Sequence, residues 1–364
     1  GWLANLLAIP WVTLVVTPLA LGGALWPALW EWAASAVQWM GQGLQVMAAW
    51  PWSTLSVAAA PWPLAAAAIA GGVLAVLSLP WSVRASGAAL VLSLLLWQPP
   101  RPAPGRFELL AADVGQGTAT LVRTATHSLL YDAGPRFSRE SDAGHRTLVP
   151  LLRALGERLD TVVLSHRDSD HTGGALAVLH MQPQAALLSS IEPTHELQAL
   201  RPAQPCTAGQ RWLWDGVQFE VLHPQAADYA AAGKPNTLSC VLRVSDGQRT
   251  ALLTGDIEAA QEARLVLQGA PLKADVLLVP HHGSKTSSTA AFVHAVQPQF
   301  ALVQSGYRNR FGHPVPEVLA RWHSGGAQVL DSPHCGAAVW RSAQPQVVEC
   351  QRKLTPRYWH HAVD

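Results

Sequence analysis

Ser165-His166-Arg167-Asp168-Ser169-Asp170-His171 places four potential metal ligands within six residues, at the point where an apolar run ends. The run before it, Leu159-Asp160-Thr161-Val162-Val163-Leu164, reads as a short buried strand. Thr172-Gly173-Gly174 follows, then the apolar Ala175-Leu176-Ala177-Val178-Leu179, so the cluster forms a tight turn leading into a helix. Strand C-terminal ends are where α/β folds place their ligands. Imidazole nitrogens and carboxylates packed this densely call for a cation, and two divalent ions can share them.

The same plan recurs along the chain. Residues 107–114 and 118–123 read as strands around Gly115-Gln116-Gly117, and Ser128-Leu129-Leu130-Tyr131 runs into Asp132. Thr250-Ala251-Leu252-Leu253-Thr254-Gly255 ends in Asp256, and Ala274-Asp275-Val276-Leu277-Leu278-Val279-Pro280 ends in His281-His282-Gly283-Ser284. A single Asp at a strand end is usually a cap or a turn residue. Several strands delivering ligands to one edge make a site.

Composition divides the chain. Residues 1–100 hold only two charged side chains, Glu31 and Arg84, with 11 of the 16 Trp and none of the 15 His, which is membrane composition. The net charge of +1 averages two unlike regions and does not identify a partner, and neither end carries a charged tail. Residues 6–25 form a span-length apolar run that Pro10 and Pro18 kink. Residues 31–50 carry Trp32, Val37, Met40, Leu44 and Met47 at mostly helical spacing, as an interfacial helix or ordinary bundle packing would. Residues 64–79 and 85–97 read as a hairpin joined by a basic turn, Pro80-Trp81-Ser82-Val83-Arg84. Several apolar segments without a basic leader do not fit a cleaved signal peptide. The chain opens on Gly1 and enters an apolar run almost at once, as the C-terminal portion of a longer protein would. The expected organisation is a transmembrane helical region over 1–98, a proline-rich linker over 99–106 that cannot continue a helix, and a soluble domain over 107–364.

In residue order, Asp132, the 166–171 cluster, Asp256 and the His281-His282 pair resemble the metallo-β-lactamase superfamily over about residues 107–342. More narrowly, Asp113-Val114-Gly115-Gln116-Gly117, Ser165-His166 with Asp168, Leu253-Thr254-Gly255-Asp256 and Pro280-His281-His282-Gly283-Ser284 are similar to the C-terminal domain of the ComEC-type DNA-internalisation competence family. The resemblance implies a four-layer αβ/βα sandwich of metallo-β-lactamase type, preceded by transmembrane helices, with the site at one shared sheet edge. It implies two divalent ions: His166 and Asp168 on one, Asp170 and His171 on the other, Asp256 bridging, and His281 or His282 closing the second. Adjacent histidines on an extended backbone point in opposite directions, so one of the pair is expected to bind, and the sequence does not say which. Asp132 is expected to orient the ligand loop. Asp168 stands where the superfamily has a His, and this oxygen donor favours Mn or Mg, with Zn still allowed. The superfamily's third His is missing; Asn236 lies in that region, as a weak ligand, a phosphate contact or a plain turn residue. Thr118 replaces the acidic residue common in the competence branch.

The implied chemistry is attack of an activated water on a phosphodiester, with Asp170 and Asp256 at its centre and His313 serving the leaving oxygen. Ser284 and Lys285 can hold phosphate oxygens or belong to a polar loop that caps the next helix. Arg308 and Arg310, beside Tyr307 and Phe311, suggest backbone contact and base stacking on a single strand. The expected partners are DNA, the membrane and other DNA-uptake proteins, with no small-molecule organic cofactor. Alternatives are a catalytically weak domain that binds DNA and gates a channel, or a hydrolase of another ester. Cys206, Cys240, Cys335 and Cys350 lack metal spacing. A terminal hairpin through Val339-Trp340 and Val347-Val348 can set Cys335 against Cys350, which implies an oxidising compartment; the other reading leaves all four thiols reduced. Arg84 in a cytoplasmic turn would put the soluble domain on the periplasmic side of the inner membrane of a bacterium, while Arg101 and Arg106 argue the other way.

Overall fold

A computed structural model describes residues 2–50, 56–230 and 233–360. The chain divides into two units, Gly1–Val57 and Ala58–Asp364. In the first, a helix runs through Trp2–Trp11, Val12–Val16 and Thr17–Gly22. Prolines 10 and 18 each remove an N–H from its ladder, and between them Val12–Val16 winds as a π-turn in which Thr17 N–H reaches Val12 O. The apolar helix thus starts earlier and ends sooner than the 6–25 run. Its segment Leu3–Gly22, with mean hydropathy 1.8, is the one helix among the described residues long and apolar enough to cross a membrane. A second helix, Ala28–Ala48, packs on it through Ala33 and Ala36, and Trp11 Nε1 donates to Ala36 O at 3.0 Å.

The second unit begins with two 15-residue helices, Trp62–Val76 and Trp81–Leu95. They meet at Gly71 and Gly87, where a Cβ on either glycine would lie 2.5 Å from the other's carbonyl oxygen. At about 1.5 Å per residue each is shorter than a hydrocarbon core of about 30 Å. The hairpin turn is residues 77–80, so Arg84 is not in it: the arginine sits in the first turn of the second helix, and its Nε donates to Ala75 O at 3.0 Å. The proline-rich segment is pinned to the domain behind it. Arg101 bonds Glu157 at 2.6 Å, Ser128 Oγ at 3.0 Å and the carbonyls of Thr124, Ala125 and His127, while Arg106 pairs with Asp246 at 3.2 Å. Both guanidinium groups are therefore engaged by protein, which weakens them as topological signals.

Short strands then build two sheets. The first uses β1 (Glu108–Ala111), β2 (Thr120–Arg123), β3 (Ser128–Tyr131), β4 (Thr161–Leu164), β5 (Ala186–Ser189) and β6 (Ala203–Pro205). The second uses β7 (Arg211–Trp214), β8 (Val217–His223), β9 (Val241–Ser245), β10 (Thr250–Leu253), β11 (Val276–Leu278), β12 (Phe300–Val303) and β13 (Gln328–Asp331). The chain returns to the first sheet with β14 (Ala338–Arg341) and β15 (Val348–Cys350). The orders are β15-β14-β1-β2-β3-β4-β5-β6 and β13-β12-β11-β10-β9-β8-β7. Each sheet is antiparallel on one flank and parallel on the other, from β3 to β6 and from β10 to β13.

Alternation along the strands feeds separate cores. Leu129, Tyr131 and Val163 meet Phe219, Leu242 and Leu253 between the sheets. Leu130, Val162 and Leu164 point the other way, against Leu152, Val178 and Leu179 of the helices on that face. Leu252 and Leu277 pack outward against Phe292 and Trp322 of the helices beyond the second sheet. Helix, sheet, sheet and helix thus form the four-layer αβ/βα sandwich that the family resemblance implies.

Two disulfides close the interior. Cys335 bonds Cys350 with Cα atoms 4.6 Å apart. The register differs from a simple hairpin pairing, because Cys350 faces Ala338 and Cys335 approaches from the preceding turn, Ser332–Cys335. Cys206 bonds Cys240, a pairing for which no local pattern offers a cue, and ties the end of β6 to the start of β9.

Candidate metal centre

The ligand-bearing turns converge where β3 and β4 of one sheet face β10 and β11 of the other. Asp132, at φ +58° just past β3, accepts Ser165 N–H at 2.6 Å, Ser165 Oγ–H at 2.8 Å and His171 Nδ1–H at 2.7 Å. Because the carboxylate accepts this hydrogen bond and so keeps the proton on Nδ1, His171 turns the lone pair of Nε2 toward Asp256 Oδ1, 3.2 Å away. His282 is set in the same way: Nδ1 donates to Gln304 O at 2.8 Å, leaving Nε2 at 3.3 Å from Asp170 and 3.7 Å from Asp256. His166 Nε2 lies 3.5 Å from Asp168 and 4.0 Å from Asp256, and its Nδ1 faces the hydroxyls of Ser165 and Ser239. Ser239 Oγ also accepts Asp256 N–H at 3.1 Å.

The histidine pair differs from the extended arrangement the sequence suggested. His281 and His282 both adopt left-handed backbone angles, φ +52° and +53°, in the turn Pro280–Gly283. With the backbone wound rather than extended, both rings face the centre, and His281 Nε2 also lies 3.7 Å from Asp256. Asp170, His171, Asp256 and His282 present ligand atoms within 4.8 Å of one another. His281 stands outside that group, its Nδ1 against Thr286 Oγ1 at 3.0 Å.

Nε2 of His166, His171 and His282 and Oδ1 of Asp256 are buried and make no hydrogen bond. Orphaned polar atoms that converge are costly unless something satisfies them, and nitrogen lone pairs mixed with carboxylate oxygens suit a divalent cation. The electrostatics point the same way. Burial opposes ionisation of Asp170 and Asp256, yet His171 and His282 outweigh it and hold both carboxyls well below the usual range. Burial likewise opposes charge on His171 and His282, and the surrounding carboxylates raise both imidazoles. A pocket that stabilises positive charge this way favours a bound ion. Burial lowers both His281 and His313, against the opposing charge of Asp256 at His281 and with the help of the His282 and His281 charges at His313.

The remaining candidates spread outward. Asp168 has a side chain 43% exposed. His313 stands ring to ring with His281, centroids 5.9 Å apart, and its Nδ1 is buried without a partner. Asn236 is buried in the turn Pro235–Leu238, three residues before Ser239. Ser284 bonds Thr286 within its own loop, Lys285 is exposed, and the helix Ala290–Val296 is capped by Thr289. Arg308 and Arg310 lie over the rings of Tyr307 and Phe311 at 5.1 and 4.8 Å. Their loop borders a cleft of about 530 Å³ that runs from Asp170 past Gln116 and Phe137 to Tyr307, Arg310 and Phe311. Two supporting residues carried no signal of their own, Ser239 and Gln304, whose Nε2 also donates to Ala112 O and Ala119 O; Ser165, the third, belongs to the 165–171 motif.

Comparison with known proteins places this domain in a family. The family described as the metallo-beta-lactamase superfamily matches residues 112–306. The chain belongs to that superfamily. It is 35% identical to Competence protein ComA of Neisseria gonorrhoeae over 98% of its own length and 50% of that protein's. It is 34% identical to Recombination protein 2 of Haemophilus influenzae over 68% of itself and 30% of that protein. The chain therefore spans half or less of these curated relatives. The metallo-β-lactamase fold protein YhfI from Bacillus subtilis aligns over 65% of this chain and all of its own, at 15% identity and a TM-score of 0.43. The superfamily match covers the strand ends that bear Asp132, the 166–171 turn, Asp256 and the His281-His282 pair. His313 and the loop from Tyr307 to Phe311 lie beyond the matched residues of the metallo-β-lactamase domain.

Proposed function

We propose that the chain is a membrane-tethered, metal-dependent phosphodiesterase that acts on DNA during uptake, beside the channel that passes a single strand. One observation carries this reading: the orphaned nitrogens of His166, His171 and His282 meet Asp256 beside a cleft edged by Arg310 and Phe311. The names Competence protein ComA and Recombination protein 2, borne by relatives, support DNA as the polymer.

His166 and Asp168 would hold one divalent ion, and Asp170, His171 and His282 a second, with Asp256 between them and His281 at its margin. Mn or Mg suits the oxygen-rich set, and Zn suits its imidazoles. Such ions supply Lewis acidity toward a phosphodiester and an acidified water. The chain does the positioning. Asp132 fixes the His171 ring and the Ser165 amide together, Gln304 fixes His282, and Ser239 fixes the Asp256 backbone, so the lone pairs need not reorganise. Nδ1 of His313, unpartnered beside His281, would hold the proton for the leaving oxygen. Arg308, Arg310 and Lys285 would meet flanking phosphates, with Asn236 and Ser284 assigned as further phosphate contacts closer to the centre.

Tethering is assigned to the helix Leu3–Gly22, with the shorter apolar helices as further membrane segments of a multi-pass inner-membrane protein. The domain is assigned to the periplasmic side, where two disulfides persist. In detergent, the full chain supplied with Mn or Mg should cut linear DNA, and Asp256→Ala should slow cutting by more than about 100-fold, the scale of losing a central ligand. Equal cutting by both, or none by either with Mn, Mg or Zn, rejects the reading. A DNA-binding gate with little catalysis is the second reading, favoured by the exposure of Asp168, which shares the first ion position with His166. It would bind DNA and leave it intact. Cleavage of a carboxylic ester with DNA untouched would point to the other hydrolase.

A further inference from the structure

The cleft that begins at Asp170 is lined by Arg136 and Phe137 from one loop and by Tyr307, Arg310 and Phe311 from another, and Arg146 stands behind the Phe137 ring. On one side Phe137 is 47% exposed, with Arg146 Cζ 5.2 Å from its ring centre. It sits on a narrow loop closed by Phe137 N–H and Ser138 N–H, which both donate to Ser141 O, and by a bridge between Arg136 and Asp142. On the other side Phe311 is 52% exposed beneath Arg310. That loop is also braced. Asn309 Oδ1 accepts the N–H groups of Phe311 and His313, each at 3.1 Å, and Gln116 Oε1 accepts Gly306 N–H at 3.0 Å.

None of Arg146, Arg308 and Arg310 pairs with a carboxylate among the described residues. Large rings held out of the core on stiff loops, each with an unneutralised arginine, form a stacking surface rather than a packing defect. A cleft of about 530 Å³ is the size that houses one small organic unit.

The geometry points to a base clamp: Phe137 with Arg146 and Phe311 with Arg310 receive an unstacked base of single-stranded DNA, while the arginines meet the adjoining phosphates. A duplex keeps its bases stacked inside and offers no such face, so the clamp selects single strands. This rests on the phosphodiesterase reading for the chemistry at Asp170, but base binding is measured without it.

The full chain in detergent, with chelator present so that nothing is cut, is titrated into labelled oligothymidylate, an abasic strand of equal length and a duplex. Oligothymidylate should bind about tenfold tighter than either, the scale of stacking one base. Phe137→Ala and Phe311→Ala should each lower its affinity by about the same factor, and Phe137→Trp should retain it. Equal affinity for the abasic strand overturns the clamp whether or not the variants fold. So does unchanged binding by both alanine variants. Absence of cutting after metal is restored would sink the phosphodiesterase reading and leave the binding result standing.

Discussion

Asp132 accepts three hydrogen bonds from one left-handed position and so sets the backbone of Ser165 and the ring of His171 together. Asp132→Asn keeps the volume but turns one acceptor into a donor. Divalent-metal affinity should fall about 10- to 100-fold with the fold intact, as read by titration calorimetry and circular dichroism. Unchanged affinity would remove Asp132 from the centre. His223 acts on stability instead. Burial first, then the charge of Arg264, lowers its pKa from 6.5 to about 4 against the opposing bond to Thr237 O. The folded chain therefore keeps His223 neutral, while the unfolded chain takes up a proton as pH falls below 6.5. The contribution is complete above that pH and is lost as pH drops through 4, on the order of 3 kcal/mol. Denaturant melts of the wild type and His223→Gln across this window should diverge; parallel profiles would refute the account.

Gly117 carries the contact between elements. At φ +152°, a Cβ there would lie 2.4 Å from Asp170 O and 2.8 Å from Pro135 Cδ, and the next amide, Thr118 N–H, donates to Asp170 O at 3.1 Å. Gly117→Ala should displace the ligand turn, costing about 1–3 kcal/mol in a thermal melt and lowering bound metal. Wild-type values for both would show that the turn yields. The ligands at the ends of β4, β10 and β11 are legible in sequence because a strand's apolar run and its terminal polar residues are adjacent in the chain. Gln304 is not, because it reaches His282 through a backbone carbonyl 22 residues away. The histidine pair is half legible: Pro280 and Gly283 mark a turn, but nothing in the residue types announces two successive left-handed histidines. Cys206 and Cys240 lie beside strands of different sheets, so no local register relates them. Thiol titration of the chain unfolded without reductant should find no free thiol, and all four after reduction.

Across the whole domain, three apolar cores let both sheets bury both faces, so residues at the strand ends carry the chemistry while strand interiors carry stability. Arg101 joins a line of charges that crosses the first sheet: Glu157, Arg123, Glu108, Arg341 and Glu349 follow in turn. Glu157 is 1% exposed, so Arg101→Ala leaves a buried carboxylate with one partner fewer and should cost a few kcal/mol. Limited proteolysis should then cut within residues 99–106, and unchanged resistance would contradict the anchoring. The anchored segment has a mechanical meaning as well. With Arg101 bonded at five points the chain is fixed to the domain six residues beyond the helix Trp81–Leu95, more strut than tether. A pull on the end of that helix would reach Ser128, four residues along the chain from Asp132.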